Sequence, residues 1–166
     1  TMERIRAAYL ERARSGPPPG PPPSGPAGSP PPAFIRERMA AIRLERMKLL
    51  GLDPDDPASA RVFMEFGARL YNAPLMVILC MDKTLTSHFD LGMLAQTICL
   101  AAQGFGVDSI VAAGLTAHRD VLRRELEIPE ELEIIIGVGL GYASGHIINT
   151  YRSPRRPLDE VVRYRQ

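Results

Sequence analysis

Three groups of residues in this chain have types and spacings that invite chemistry. Arg152, Arg155 and Arg156 sit in a tail constrained by Pro154 and Pro157. Two guanidiniums three residues apart can grip a phosphate or another anion through charge-assisted hydrogen bonds, and a solvated basic tail is the plainer alternative. Gly137-x-Gly139-x-Gly141 has the look of a dinucleotide fingerprint, but the glycines lie within a strand pattern and no helix opens after them. Close packing against a helix or a ligand explains them better. His88, His118 and His146 show no ligand spacing and read as surface or capping residues. Cys80 and Cys99 lie in apolar runs, as reduced core thiols do. No Ser/His/Asp or Cys/His set stands out, nor a carboxylate pair, so the pattern names no catalytic side chain.

The elements that must position these groups are organised around one stretch, His88 to Gln103. At the ~100° step of a helix, Leu91, Leu94, Ala95, Ile98 and Ala102 form one stripe, while Met93 and Leu100 fall on the other side. Asp90, Gln96, Thr97 and Gln103 alone break the apolar pattern, so this helix needs cover on both sides, from its own chain or from a second copy. Thr86 or Ser87 can cap its start, and Gly104 or Gly106 suits its end.

Met2 to Arg14 has helical spacing, with Ile5, Tyr9 and Ala13 on one side. From Gly16 to Ala33 the chain holds ten of its 16 prolines, the composition of an extended, flexible spacer; its PxxP spacings also permit an SH3-type ligand role. Phe34 to Leu50 predicts a helix with Ile35, Met39, Ile42 and Leu49 on its apolar side and Arg36, Arg38, Arg43, Arg46 and Lys48 on a solvated one, ended by Gly51. Asp56 before Pro57 marks a further helix start, with Val62, Phe63, Phe66 and Leu70 turned inward. Leu75 to Met81 and Glu133 to Tyr142 read as strands buried on both faces, and Gly106 to Val111 as a short extended segment. Between them Thr116 can cap a helix running to Leu126. The order argues for an α+β or three-layer α/β domain, and for more strands than the two long ones.

At 45% hydrophobic residues and a net charge of +1, the chain can bury a core and offers no electrostatic case for nucleic acid or a membrane surface. No apolar run approaches the ~20 residues of a membrane span and no signal-peptide pattern is visible, so the cytoplasm is the expected compartment.

Several motifs taken together resemble the nitroreductase family of flavoproteins: Asn72-Ala73-Pro74 before an apolar strand, Asp90-Leu91-Gly92-Met93 with Gln96 and Leu100-Ala101-Ala102, and Gly106-Val107-Asp108-Ser109. The likeness continues through Leu126-Glu127-Ile128-Pro129, Gly139-Leu140-Gly141-Tyr142 and Arg152-Ser153-Pro154-Arg155-Arg156, and covers the chain from about Ile35 onward. The resemblance implies a three-layer sandwich of residues 34–166, joined to an N-terminal helix (1–15) by the loop 16–33. It implies a homodimer whose long central helices pack on each other, with FMN at the interface. The backbone of Val111, Ala112, Ala113 and Gly114 would meet the flavin's pyrimidine edge and N5, and Arg152 and Arg155 its phosphate. Hydride would pass from NAD(P)H through the flavin to a nitroaromatic, quinone or similar small acceptor, the cofactor carrying the chemistry. Two departures stand out. Some relatives carry a Glu where this chain has Ala113. The family's opening Arg-Arg-Ser-x-Arg segment and the following Pro-Ser-x-x-Asn-x-Gln-Pro-Trp region are absent from this sequence, which holds no Trp. The expected alternative is therefore a flavin-free dimeric remnant of the fold.

Overall fold

A computed structural model describes residues 1–15, 32–85 and 88–165. The Pro-rich segment lies almost wholly outside these residues, as do the two candidate caps Thr86 and Ser87.

Three strands form one antiparallel sheet in the order β1-β3-β2: β1 Leu75–Asp82, β2 Asp108–Ala112 and β3 Leu132–Gly141. The apolar runs chosen from sequence are the two longer strands, and β2 is the extra partner they required. A bulge opposite Leu79/Cys80 leaves Ile135 as the surplus residue of β3, since Leu79 pairs with Ile136 and Cys80 with Ile134. The bulge turns Ile134 and Ile136 to opposite faces, and each meets a different core.

On one face pack helix α1 (Met2–Ser15), helix α5 (Arg119–Leu126) and the chain around Leu70 and Leu115, with α3 (Pro57–Ala68) against α1. Ile5, Tyr9, Leu70, Leu115, Val121, Leu122 and Ile134 make this core, so α1 belongs to the same packed unit as the sheet. The Ile5, Tyr9, Ala13 spacing was its legible mark. On the other face lies α4 (Phe89–Gly104), which sets Leu91, Ala95, Ile98 and Cys99 against Val77, Leu79, Ile136, Val138 and Leu140. The result is a three-layer α+β sandwich with α4 as its long central helix.

Individual residues depart from expectation. Leu94 is exposed, and Cys99 takes the inward position instead. Val62 of α3 is exposed as well, and Phe63 and Phe66 are only half-buried, because α3 closes on α1 along a narrow strip. In α2 (Ala33–Leu49) the deeply buried residue is Met47 while Met39 is exposed. Only the C-terminal end of α2 is drawn in, and a flexible thioether fills that gap. Thr116 does not cap α5: its hydroxyl donates to Ala113 O at 3.2 Å inside a tight turn, Ala113–Thr116, and the N-cap position belongs to His118. Asp56 caps α3 as read, accepting from the backbone N–H groups of Ala58 and Ser59 at 3.0 Å. These bonds hold its carboxyl below the usual carboxylate range.

Candidate functional site

The geometry begins with the three glycines of β3. A Cβ on Gly137 would stand 2.6 Å from the Leu115 Cβ, one on Gly139 3.2 Å from Ile110 Cγ2 and 3.3 Å from Ala73 Cβ, and one on Gly141 2.7 Å from Pro74 Cδ. The bare face of β3 thus admits the side chains of Ala73 and Pro74 and those of Ile110 and Leu115, which bracket Val111, Ala112, Ala113 and Gly114 at the end of β2 and the start of the following turn. Close packing, the reading preferred over a nucleotide loop, is what the glycines provide.

The first of these segments is reached through a strained turn. Leu70, Tyr71 and Asn72 have φ of 53°, 58° and 52°, three successive left-handed residues that each cost roughly 1–2 kcal/mol. Two features hold the turn. Leu70 is fully buried. Arg6, reaching over from α1, donates Nε to Arg69 O at 3.2 Å and Nη2 to Ala73 O at 3.1 Å, clasping both ends. The turn brings the Tyr71 hydroxyl 3.9 Å from a Cβ built on Gly114.

Tyr71 and Arg46 stand between two cavities. One, of about 280 Å³, is lined by Phe63, Phe66, Tyr71, Gly114 and His118 among others. The second, of about 230 Å³, runs from Ile110 to Asn149, Tyr151 and Ser153. The end of β2 and the C-terminal segment therefore face neighbouring spaces. That segment is tied to α2: the Tyr151 hydroxyl donates to Glu45 Oε2 at 2.7 Å, and Arg38 Nη2 donates to Pro154 O at 2.6 Å. Arg152 donates Nη1 to Asn149 O and Tyr151 O, and Arg155 donates Nη1 to Ser153 O. Both are exposed, and among the described residues neither forms an ion pair, whereas Arg156 pairs with Glu160 at 3.1 Å. Val111 pairs with Val138 and points to the α4 side of the sheet, away from Ile110. Ala113 and Gly114 are exposed at the start of the tight turn, where backbone N–H groups are not used within the turn itself.

Behind the first cavity, the Tyr9 hydroxyl donates to Leu115 O at 3.0 Å and accepts from the His118 backbone N–H at 3.3 Å, while its ring meets the His118 imidazole edge-on at 4.6 Å. Burial pushes the Tyr9 hydroxyl up to about 12, so it stays a neutral structural donor. Burial, and then the Arg12 charge, pushes His118 below its ordinary value. Sequence reading missed this set, and it also missed Arg43 and Arg46, which rest on the Phe63 ring instead of standing free on a wet face. Cation–ring contacts between two helices leave no periodic trace in one of them. Among the described residues no cluster of His, Cys, Asp or Glu could hold a metal ion, and no helix is long and apolar enough to cross a membrane.

Residues 47–142, more than half of the chain, match the family model of the nitroreductases. The chain belongs to the nitroreductase family. It is 30% identical over 147 residues to nitrobenzene nitroreductase of Ectopseudomonas oleovorans, which covers 87% of this chain and 65% of that protein. It is 29% identical over 133 residues to nitroreductase NfnB of Mycolicibacterium smegmatis, covering 78% and 56%. The chain thus spans less than two thirds of the length of these relatives. Its fold matches the solved FMN-dependent nitroreductase NfnB from Mycobacterium smegmatis in complex with NADPH, with a TM-score of 0.80 at 25% identity over 99% of this chain and 74% of that one. It also matches the fold of an FMN- and NADPH-dependent nitroreductase from sphigopyxis sp. strain HMH, with a TM-score of 0.83 at 21% identity. The nitroreductase likeness in structure therefore extends through α1, beyond the Ile35 start read from motifs.

Proposed function

We propose that this chain binds FMN as a homodimer and serves as an NAD(P)H-dependent oxidoreductase for nitroaromatic, quinone or similar small acceptors, in the cytoplasm. Its relatives' names support nitroreductase-type oxidoreduction, and the donor groups left open in this chain fit the cofactor. Arg152 and Arg155 each spend one nitrogen on neighbouring carbonyls and keep the rest of the guanidinium for an anion, which suits the FMN phosphate. In the run Val111, Ala112, Ala113 and Gly114, the last two open a tight turn whose first backbone N–H groups are not used within it, which supports this run as a donor edge for the flavin. A bound flavin would supply two-electron redox chemistry between NAD(P)H and the acceptor. Arg152 and Arg155 would hold its phosphate, and the backbone of Val111 to Gly114 would meet its ring edge.

One observation carries the reading. Within the chain α4 covers the sheet with one side only, and its opposite side exposes Met93, Leu94 and Leu100 to the extent of 49%, 47% and 64%. That side bears no basic residue, and in its middle only Gln96 and Thr97 are polar; Thr97 is turned back on the Met93 carbonyl at 2.9 Å. A second α4 packed there removes this surface from water.

A titration of the purified chain with FMN tests the reading. Binding shifts the flavin's visible bands, NADPH bleaches them without air, and a nitroarene or quinone restores them. Replacing Arg152 and Arg155 together by Gln weakens FMN binding by roughly a hundredfold, two charge-assisted contacts' worth. A chain that leaves the FMN spectrum unchanged contradicts the proposal and favours a scaffold without flavin, the outcome to which Ala113, with no carboxylate to offer, would then belong.

A further inference from the structure

Arg43 and Arg46 stand one turn apart on α2, and both lie over the Phe63 ring of α3, their guanidinium carbons 5.9 and 5.7 Å from its centroid. Two like charges gathered at one ring repel each other. By contrast, Arg4, Arg12 and Arg14 of α1 each meet a carboxylate. Among the described residues neither Arg43 nor Arg46 forms an ion pair, and Glu45 between them is engaged by the Tyr151 hydroxyl.

Both arginines line the cavity of about 280 Å³, and among the described residues no Asp or Glu contributes to its wall. Phe63, Phe66 and Tyr71 supply aromatic surface, and Phe66 is itself backed by the His146 ring, stacked at 5.5 Å. Burial lowers the proton affinity of His118, which favours its uncharged form. The result is a hollow near the lower end of the roughly 300–1,000 Å³ range of small-ligand sites. Its walls are flat rings, and its charges are two unanswered cations.

We propose that this cavity binds a planar aromatic carboxylate of one or two rings, the ring lying among Phe63, Phe66 and Tyr71 and the carboxylate meeting Arg43 and Arg46. Because Gly114 lines the same cavity, the inference names the acceptor class of the flavin reading and rests on that reading for the bound molecule's fate. The binding itself is separable.

The test is calorimetric titration of the purified chain, with and without added FMN, using 2-naphthoate and its uncharged counterpart 2-naphthamide. The carboxylate binds roughly tenfold more tightly than the amide, the worth of a charge-assisted contact. Raising the salt concentration erodes that preference without touching the amide. Arg43→Gln and Arg46→Gln each remove most of the preference at unchanged amide affinity; Arg46→Lys, which keeps the charge and loses the planar fork, retains part of it. Should a variant fail to fold, the salt dependence of the unmodified chain still separates a charged contact from simple ring burial. Equal affinities, a preference that survives the double glutamine variant, or no binding of either compound overturns the proposal. A chain that takes up FMN but neither naphthalene removes the acceptor class alone. A chain that takes up naphthoate and ignores FMN removes the flavin reading and leaves the site standing.

Discussion

The two faces of the sheet are finished to different degrees. On the side of α1 and α5, seven core residues from Ile5 to Ile134 are at most 2% exposed, and the polar groups among them are answered within the chain, as the two hydrogen bonds of Tyr9 show. On the side of α4 the buried cluster among the described residues is Leu79, Ala95 and Val138, and the helix turns its far side, with Met93 and Leu100, outward. One chain therefore completes a core on one face and stops half-way on the other. The closed face sets the stability of the chain, and the open face is the one on which the proposed second copy would pack.

Substitutions sharpen that contrast, and the largest effects belong to the closed face. Leu122→Ala, at a fully buried position, costs about 2–5 kcal/mol in denaturant unfolding. Gly137→Ala forces a methyl against Leu115 Cβ at 2.6 Å, costing about 1–3 kcal/mol, and weakens FMN binding because the 110–115 segment is lifted from β3. Tyr9→Phe leaves Leu115 O and the His118 N–H without their partner, a loss of about 1–3 kcal/mol read by thermal melting. Asp120→Asn is smaller. Hydrogen bonding from Arg12 depresses the Asp120 carboxyl from its ordinary 3.8 to about 2, so its contribution is present above the ordinary value and disappears as pH falls through about 2. Both side chains are largely exposed, at 42% and 61%, which limits the pair to roughly 0.2–1 kcal/mol; the variant's stability falls less steeply than the native chain's over that acid range. Leu100→Ser on the open face changes intrinsic stability least, within about 0.5 kcal/mol, yet abolishes self-association measured by light scattering.

The same division governs what was legible beforehand. Periodicity revealed Ile5, Tyr9 and Ala13, the capping role of Asp56 and the two long strands, because each is a local pattern with a local cause. The all-round apolar character of α4 announced that it needs two coverings, and the chain provides one. What stayed hidden depends on residues far apart in sequence: the Arg6 clasp across the left-handed turn at 70–72, the Tyr9–His118 contact, and the arginines of α2 resting on a ring of α3. Arginines on a helix look alike in sequence whether solvent or an aromatic face receives them. Thr116 was misplaced as a cap for a similar reason, since its hydroxyl is consumed in a turn whose Leu115 packs against the distant Gly137. For the candidate site, the motif resemblance named Val111 to Gly114 and Arg152 with Arg155; of these Gly114 lines one of the two cavities and the others line neither, and the cavity walls became visible only in three dimensions.

The central claim is that a second copy covers α4 and so completes a flavin site. Sedimentation of the purified chain with FMN, recorded at a visible flavin band, addresses both halves at once. The account predicts one boundary at twice the 18.3 kDa chain mass, carrying the flavin absorbance with it. A species of single-chain mass, with the flavin left behind as a slow free component, would contradict it.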